Sequence, residues 1–164
     1  MLRVDIRLAN LADAETIRQI YNLEVTGSTA TLDLVARTTE EQRAWMVAHS
    51  GVYPVVVADD GGQVVGFASL SPYRPRPGYA TAVEDSIYVA AQHRGMGVGR
   101  QLLTEAVVLA RTHGFHSIVA RVSATQQASV ALHQACGFDL IGVEREIGLK
   151  FGRWVDVALL QRLL

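Results

Sequence analysis

The chain has 164 residues, of which 49% are hydrophobic and 19% are charged, and its formal net charge is −1. A chain of this length and composition can bury its own core, so we expect one folded domain over residues 1–164 and exclude a disordered chain. The near-neutral charge provides no overall attraction to nucleic acid or to an anionic membrane, and neither is expected as a partner. A single cysteine, Cys136, excludes an internal disulfide and a zinc finger.

The N-terminal residues lack the apolar run of a secretory signal, and no stretch reaches the roughly 18–20 apolar residues of a membrane span. We therefore expect a cytoplasmic protein. No metal is expected either, because no ligand spacing is formed by His49, His93, His113 and His116.

The first half of the chain contains a strand, two helices and a hairpin. Residues 2–8 alternate apolar and charged side chains, which predicts a half-buried strand. The helix that follows ends at 27–29, and Thr38 with Glu41 forms a capping box that begins a second helix. A β-branched strand, a turn and a partner strand then follow at residues 53–58, 59–62 and 63–70.

The second half of the chain begins with a proline-rich segment. Residues 71–78 cannot be regular structure and are interpreted as a loop within the domain. Periodicity then predicts a strand at 82–89, a helix ending at Gly114, a strand at 117–122, a helix at 126–135, and a final strand pair at 138–149 and 154–163. This order indicates a mixed α/β (α+β) layout around one sheet.

A glycine-rich segment, Arg94-Gly-Met-Gly-Val-Gly99, lies between a predicted strand and a predicted helix. Loop amides and a helix N-terminus can bind an anion, and glycine lets the backbone approach a diphosphate closely. The segment lacks the Gly-Lys-Ser/Thr of a P-loop and the spacing of the Gly-x-Gly-x-x-Gly dinucleotide motif. On composition alone, a flexible strand–helix turn remains the alternative.

The residues Arg94-x-x-Gly97-x-Gly99 fit the Gln/Arg-x-x-Gly-x-Gly/Ala motif of the GNAT superfamily of N-acetyltransferases. More narrowly, the chain resembles the phosphinothricin and methionine sulfoximine N-acetyltransferases over nearly its whole length. The matching segments are Ile20-Tyr-Asn22, Tyr53-Pro54, Thr81-Ala-Val-Glu-Asp-Ser-Ile-Tyr-Val89, His93-Arg-Gly-Met-Gly-Val-Gly99, Ala128-Ser-Val-Ala-Leu-His133, Cys136-Gly-Phe138 and Gly148-Leu-Lys-Phe-Gly-Arg-Trp-Val-Asp156. The resemblance implies a GNAT-like fold, with a mostly antiparallel twisted sheet of about seven strands, a V-shaped parallel split and about four flanking helices.

The resemblance also implies acetyl-CoA as the acetyl donor, bound in the opening between the strand ending at Val89 and the next parallel strand from Ser117. The implied contacts are the backbone of Ile87, Tyr88 and Val89 for the pantetheine arm, the amides of Arg94, Gly95, Met96, Gly97, Val98 and Gly99 for the diphosphate, and Gln126, Ser129 and His133 on the flanking helix. The family usually has asparagine at the position of Gln126, so the amide here is one methylene further out.

An amine must lose a proton before it attacks a thioester, so a general base is useful. The resemblance makes Glu84 the proton acceptor, directly or through water. Strand alternation puts Glu84, Ser86 and Tyr88 on one face, and Tyr88 is a candidate proton donor. The residues alone would favour an exposed carboxylate for Glu84 and a packed aromatic for Tyr88.

Two residues near the last predicted helix are further candidates. His133 could relay a proton or donate to the leaving thiolate, and a partly buried structural histidine is an equal alternative. Cys136 could suggest an acyl-enzyme, but no Cys-His-Asp arrangement is legible, so a small buried hydrophobe is preferred. Direct transfer through a ternary complex is therefore expected.

Arginines in the proline-rich loop are the candidates for acceptor binding, since arginine suits bidentate recognition of a carboxylate or phosphinate. With the resemblance, the expected substrate-side residues are Arg74, Arg76, Gly78, Tyr79 and Leu32. Gly78 stands where family members often have a side chain, and Leu32 replaces an aromatic residue common there. Solvated loop charges are the alternative for the two arginines.

The predicted function is transfer of acetyl from acetyl-CoA to the α-amine of a small amino-acid analogue of the phosphinothricin, methionine sulfoximine or methionine sulfone type. One alternative is a GNAT acyltransferase for a protein N-terminus, a polyamine or an aminoglycoside. The other is a non-catalytic acyl-CoA-binding module, against which the retained Glu84 and the intact glycine loop count. The arginine loop has the wrong charge for a polycationic acceptor. The resemblance further implies a homodimer.

Overall fold

The structure is a computed structural model that describes residues 2–164. Within these residues, seven strands form one sheet in the order β1-β2-β3-β4-β5-β7-β6. The strands are β1 (Asp5–Leu8), β2 (Val55–Asp60), β3 (Gln63–Pro72), β4 (Ala82–Val89), β5 (Ser117–Ser123), β6 (Asp139–Lys150) and β7 (Arg153–Leu163). The helices are α1 (Ala14–Gly27), α2 (Thr39–Ala48), α3 (Val98–Thr112) and α4 (Gln127–Ala135). None of these helices is long and apolar enough to cross a membrane.

The predicted fold class is confirmed, because every neighbouring strand pair is antiparallel except β4–β5, which is parallel. The first strand is shorter than predicted and begins at Asp5. The amide of Leu2 donates instead to the carbonyl of Met96, at 2.9 Å, and leaves the ladder. The proline-rich loop contains a short 3-10 turn at Pro77–Tyr79, although it was expected to lack regular structure.

Two apolar layers hold the helices against the two faces of the sheet. Ile17 and Val25 of α1 pack with Phe67 of β3 on one face, together with α2. Leu102 and Leu103 of α3 pack on the other face, and all five of these side chains are fully or almost fully buried. Each such side chain contributes about 1.5–3 kcal/mol relative to an exposed position, so the two layers fix the sheet between the helices.

The parallel strands β4 and β5 pair over only four positions, from Ala82–Ser117 to Asp85–Ala120. Beyond Asp85, β4 stays paired with β3, and beyond Ala120, β5 stays paired with β7. Because each strand keeps its outer partner, the sheet opens between them. The V-shaped split predicted from the family resemblance is therefore present.

A buried polar pair lies where the strands part, and it ties α4 to β4. Nε2 of His133 lies 3.0 Å from Oδ2 of Asp85, and Nδ1 lies 2.7 Å from the carbonyl oxygen of Ser129. A carbonyl only accepts, so Nδ1 carries the proton that it donates to Ser129, and Nε2 faces the carboxyl group of Asp85. Burial alone would lower the pKa of His133, but the hydrogen bond and charge of Asp85 raise it above its ordinary value. The contact with Asp85 therefore favours the protonated ring.

Asp85→Asn should lower stability by roughly 1.5–3 kcal/mol at pH 6, because the hydrogen bond to the imidazolium loses its charge. A raised pKa stabilises the fold fully below the unfolded value of 6.5, and this contribution is lost as the pH rises through the higher folded pKa. The difference in melting temperature between parent and variant should therefore shrink between pH 6 and pH 9. Asp139→Asn, at an exposed carboxylate, is the control. A difference that stays constant with pH would contradict a charged His133.

Candidate active site

The split between β4 and β5 opens into a cavity of about 450 Å³, which is within the usual range for small-ligand sites. Its walls combine strand, loop and helix residues. They include Ser86, Ile87, Tyr88 and Val89 of β4, Ala120, Arg121 and Val122 of β5, Arg94, Gly95, Gly97 and Gly99 before and at the start of α3, and Gln126, Ser129 and His133 at α4. The cavity therefore brings together most of the residues predicted to contact acetyl-CoA.

Main-chain groups of β4 face alternately toward β3 and toward the split. The amide of Ala90 donates to the carbonyl of Val65 at 2.9 Å, which makes this a hydrogen-bonded pair of the β3–β4 ladder. In an antiparallel ladder such pairs recur every second residue, so Tyr88 also pairs with β3. Only Ile87 and Val89 turn their amides and carbonyls toward the split. The expected main-chain contact of Tyr88 with the pantetheine arm is therefore corrected.

The side chain of Arg94 is committed to protein partners. Its Nε donates to the carbonyl of Val89 at 2.9 Å, and its guanidinium pairs with Glu24 of α1. Glu24 also accepts a 2.6 Å hydrogen bond from the hydroxyl of Ser28. Because the carbonyl of Val89 accepts from Arg94, its amide is the main-chain group that stays free at the split. The ion pair between Arg94 and Glu24 ties the glycine loop to α1.

The glycine loop has the geometry of an anion site. Gly95 and Gly97 adopt φ values of +73° and +85°, in the left-handed region that favours glycine. The amides of Gly95, Met96 and Gly97 find no backbone acceptor within residues 2–164, and those of Val98 and Gly99 open α3 without partners in the helix. These donors and the positive end of the helix dipole fit a diphosphate.

The side chains of Met96 and Val98 do not contribute to the anion site that the loop amides form. Val98 is buried in the core and Met96 is largely exposed, so neither side chain belongs to the cavity wall. At Gly99, a Cβ would lie 3.0 Å from Cδ2 of Leu132, which shows how closely the start of α3 approaches α4. A glycine here lets the amides and the flanking helix line one narrow cavity.

Helix α4 contributes the opposite wall. Gln126 and Ser129 both line the cavity, as expected, and Gln126 precedes the first residue of the helix without a side-chain capping bond. His133 also lines it, but both ring nitrogens are engaged by Ser129 and Asp85. Neither ring nitrogen is therefore free to contact a bound substrate. These contacts fit a positioning role for His133, and the proton relay stays a prediction.

Glu84 lies on β4 just beyond the wall of the cavity and is half-buried. Burial raises the pKa of its carboxyl group, Arg121 and Arg74 oppose this, and the nearby charge of Asp85 adds to it. Its conjugate base is therefore stronger than an exposed glutamate and better matched to neutral pH. The carboxylate lies two residues from the split, and its role as general base stays a prediction.

Tyr88 projects from the same face of β4 as Glu84 and is packed between aromatic rings. Its ring centroid lies 5.2 Å from that of Tyr21 and 5.4 Å from that of Phe67. Burial raises the pKa of Tyr88, so the phenol keeps its proton at neutral pH. It can donate a hydrogen bond at the cavity but is a weak acid.

The predicted substrate-side residues lie outside the cavity wall. Arg74, Arg76, Gly78 and Tyr79 are exposed in the loop after β3, where the guanidinium of Arg74 lies 5.0 Å from the centroid of the Tyr73 ring. Leu32 lies apart from them and packs on β6, since a Cβ at Gly148 would come within 2.6 Å of its Cδ1. Among these five predicted residues, Arg74 alone lies close enough to act electrostatically on Glu84.

The loop that carries Leu32 is held by two polar anchors that sequence analysis did not identify. Asn22 bonds both main-chain groups of Arg37, each at 2.9 Å. The buried ammonium of Lys150 donates to the carbonyl of Thr31 at 2.7 Å, and burial lowers its pKa. Asn22 and Lys150 both lie in segments that match the family. That match was the one feature of the sequence that could have identified them.

Arg121 and Glu144 form an ion pair beside the cavity, and neither was predicted as a site residue. Arg121 belongs to β5 and lines the cavity, and Glu144 belongs to β6. In the sheet, β7 lies between these two strands. Periodicity does not reveal this strand order, so the sequence did not show that Arg121 and Glu144 come together.

Comparisons with known proteins agree with this architecture. Residues 15–138 match the model of the acetyltransferase (GNAT) family. The L-methionine sulfoximine/L-methionine sulfone acetyltransferase of Pseudomonas paraeruginosa is 38% identical over 98% of this chain and 94% of its own.

Two solved structures superpose closely on the chain. The first is a GNAT superfamily phosphinothricin acetyltransferase from Sinorhizobium meliloti in complex with acetyl-CoA, with a TM-score of 0.95, 37% identity, and coverage of 99% of this chain and 89% of that one. The second is a ribosomal-protein-alanine N-acetyltransferase from Brucella melitensis, with a TM-score of 0.96, 38% identity, and coverage of 98% and 100%. These similarities confirm the resemblance and the expected acyltransferase class. The chain belongs to the acetyltransferase (GNAT) family.

Proposed function

We propose that this chain transfers an acetyl group from acetyl-CoA to the α-amine of a small amino-acid analogue, directly and in a ternary complex. The observation that carries the proposal is the position of Glu84. A half-buried carboxylate with a raised pKa stands on the strand that also forms one wall of the split. A base at that point can take the proton of an amine whose nitrogen approaches the end of the cavity.

Acetyl-CoA fits the cavity through main-chain donors more than through charged side chains. Ile87 and Val89 would bond the pantetheine arm, and the amides of residues 94–99 would hold the diphosphate. Gln126 and Ser129 would flank the arm from α4. This assignment is supported by the unpaired loop amides and by the acetyl-CoA complex of the related Sinorhizobium meliloti structure. Bound acetyl-CoA supplies an activated acyl carbon with a thiol leaving group.

Glu84 would accept the amine proton, directly or through water, as the nitrogen attacks. The new C–N bond forms as the C–S bond breaks, and the thiolate leaves with the bonding electron pair. Tyr88 would donate a hydrogen bond near the sulfur, while the proton for the free thiol comes from solvent, because the pKa of this phenol is raised. Cys136 takes no part, since it is buried under the end of α4.

The acceptor is proposed to carry a carboxylate next to its amine. Arg74 can act on charges around Glu84, and Arg76, Gly78 and Tyr79 share its exposed loop. Leu32 would contact the acceptor's side chain. The names of the Pseudomonas and Sinorhizobium relatives support amino-acid analogues, whereas the name of the Brucella structure favours a protein N-terminus as the second candidate.

We also infer a cytoplasmic homodimer that forms through the β6 edge of the sheet. Large apolar side chains are at least about half exposed along β6 and β7, at Leu140, Ile141, Val143, Ile147, Leu149, Phe151 and Trp154. Large exposed apolar side chains gathered at one end of a sheet are a common mark of a protein interface.

Glu84→Gln should lower kcat for the best acceptor by about 10²- to 10⁴-fold, the usual contribution of a general base. The parent kcat should rise with pH through the pKa of Glu84, which lies above 4.5, and the variant should lose this rise. CoA release would be followed with phosphinothricin, methionine sulfoximine, methionine sulfone, spermidine and an N-terminal peptide. Glu40→Gln, at an exposed carboxylate of α2, is the control. Identical pH profiles for Glu84→Gln and parent would refute the assignment.

Gly95→Ala should weaken acetyl-CoA binding by about tenfold, because the new methyl group enters the space proposed for the diphosphate. Gly61→Ala is the matched control, since Gly61 has a φ of +61° against +73° and neither position has a heavy atom within 4 Å of an added Cβ. Both variants should lose similar stability, about 1–2 kcal/mol, from the left-handed backbone. Calorimetric titration with CoA would separate them, and equal affinities would rule out a diphosphate at this loop.

Leu149→Asp should convert a dimer into a monomer at micromolar concentration, because it buries a carboxylate in the proposed interface. Leu8→Asp provides the control, as both leucines are exposed on edge strands at opposite ends of the sheet. Size-exclusion chromatography with light scattering gives the mass. A monomeric parent, or a variant that stays dimeric, would disprove this interface.

A further inference from the structure

Charged side chains of β5 and β6 lie on the same face of the sheet as Glu84 of β4. Glu84 on β4 pairs with Val119 on β5, so Arg121, two residues further along, projects from the same face. Glu144 on β6 pairs with Val157 of β7, and its ion pair with Arg121 puts it on that face too. The acceptor's amine at Glu84 would therefore have Arg121 on its β5 side.

Arg121 has hydrogen-bonding capacity to spare. Its Nη2 donates to Oε2 of Glu144, whereas Nε and Nη1 have no partner in the described part of the chain. About a third of its side chain is exposed, and it lines the cavity. A guanidinium that is held at one nitrogen and open at the others is suited to bind a carboxylate or phosphinate.

The backbone of β6 is distorted next to Glu144. The register with β7 shifts between Glu144 and Gly148, which marks a bulge. Within it, Glu146 adopts a φ of +50°, and its amide donates to Oδ1 of Asp156 at 2.7 Å. Bulges redirect side chains, and strained non-glycine residues concentrate at functional sites. The distortion lies directly after Glu144, on the strand that carries the ion-pair partner of Arg121.

We propose that Arg121, oriented by Glu144, binds an anionic group on the acceptor's side chain, so that acceptors with a second oxyanion are preferred over those with an uncharged side chain. The argument rests on the proposed function, in which the arginine loop after β3 takes the α-carboxylate. β3, which leads into that loop, and β5 pair with opposite edges of β4, so an amine at Glu84 can extend its carboxylate toward Arg74 and its side chain toward Arg121.

A purely structural ion pair is the competing explanation. Partly exposed pairs of this kind contribute only about 0–1 kcal/mol to stability, and they have no influence on which acceptor reacts. The ratio of kcat/KM for two acceptors of similar size therefore distinguishes the two. Phosphinothricin carries a phosphinate on its side chain, and methionine sulfone carries an uncharged sulfone.

Arg121→Gln should lower the phosphinothricin to methionine sulfone ratio of kcat/KM at least tenfold, mainly through phosphinothricin. Arg121→Lys should lose less of the ratio, since it keeps the charge but not the bidentate geometry, and Glu144→Gln should lose part of it through poorer positioning. Arg111→Gln removes an exposed arginine of α3 and is the control. An unchanged ratio in Arg121→Gln, or an equal loss for both acceptors, would overturn the proposal.

Failure of the proposed function would look different. If the parent binds CoA but turns over neither acceptor, the acceptor assignment is wrong, and calorimetry with phosphinothricin on the CoA complex decides the inference. Binding that is lost in Arg121→Gln and kept in Arg111→Gln supports the anion site. Binding that is unchanged in Arg121→Gln, or absent from the parent, overturns it.

Discussion

The parting of β4 from β5 after Asp85 and Ala120 is the constraint on which the rest of the structure depends. It leaves the inward main-chain groups of Ile87 and Val89 without a strand partner, and unpaired backbone groups in a half-buried setting must be satisfied by a ligand or by water. The split persists because β4 and β5 remain paired to β3 and β7 on their outer sides. A gap in a sheet thus becomes a binding cavity without any insertion.

The Asp85–His133 pair stabilises the point where the split begins. Asp85 is the last residue of β4 that pairs with β5, and its contact with His133 holds α4, which forms the opposite wall of the cavity. Oδ1 of Asp85 has no partner among residues 2–164, although it is buried. Removing one member of such a pair would leave a buried charge, which costs far more than an exposed pair contributes. The Asp85–His133 pair that positions this wall of the cavity therefore also makes the fold sensitive to substitution of either residue.

Periodicity and turn residues predicted most of the fold, because strands and helices here follow apolar spacing closely. The glycine loop was also predictable, since its chemistry lies in one contiguous segment. The role of His133 was not, because its protonation depends on Asp85, which lies 48 residues away in sequence. The main-chain direction of Tyr88 required the β3–β4 register, and Arg121 required the order β5-β7-β6, which places Glu144 within reach. The local sequence pattern predicts where helices and strands lie. The roles of His133, Tyr88 and Arg121 depend instead on contacts between elements that are distant in the sequence.

The charges around Glu84 oppose each other in a way that links acceptor binding to basicity. Burial raises the pKa of Glu84, and the positive charges of Arg121 and Arg74 lower it. An acceptor anion bound at either arginine would neutralise part of that positive charge. The carboxylate would then become a stronger base at the moment when the amine is delivered to it. Anion recognition and proton abstraction would in this way share the same electrostatic balance, because the arginines would weaken the base most while the acceptor site is empty.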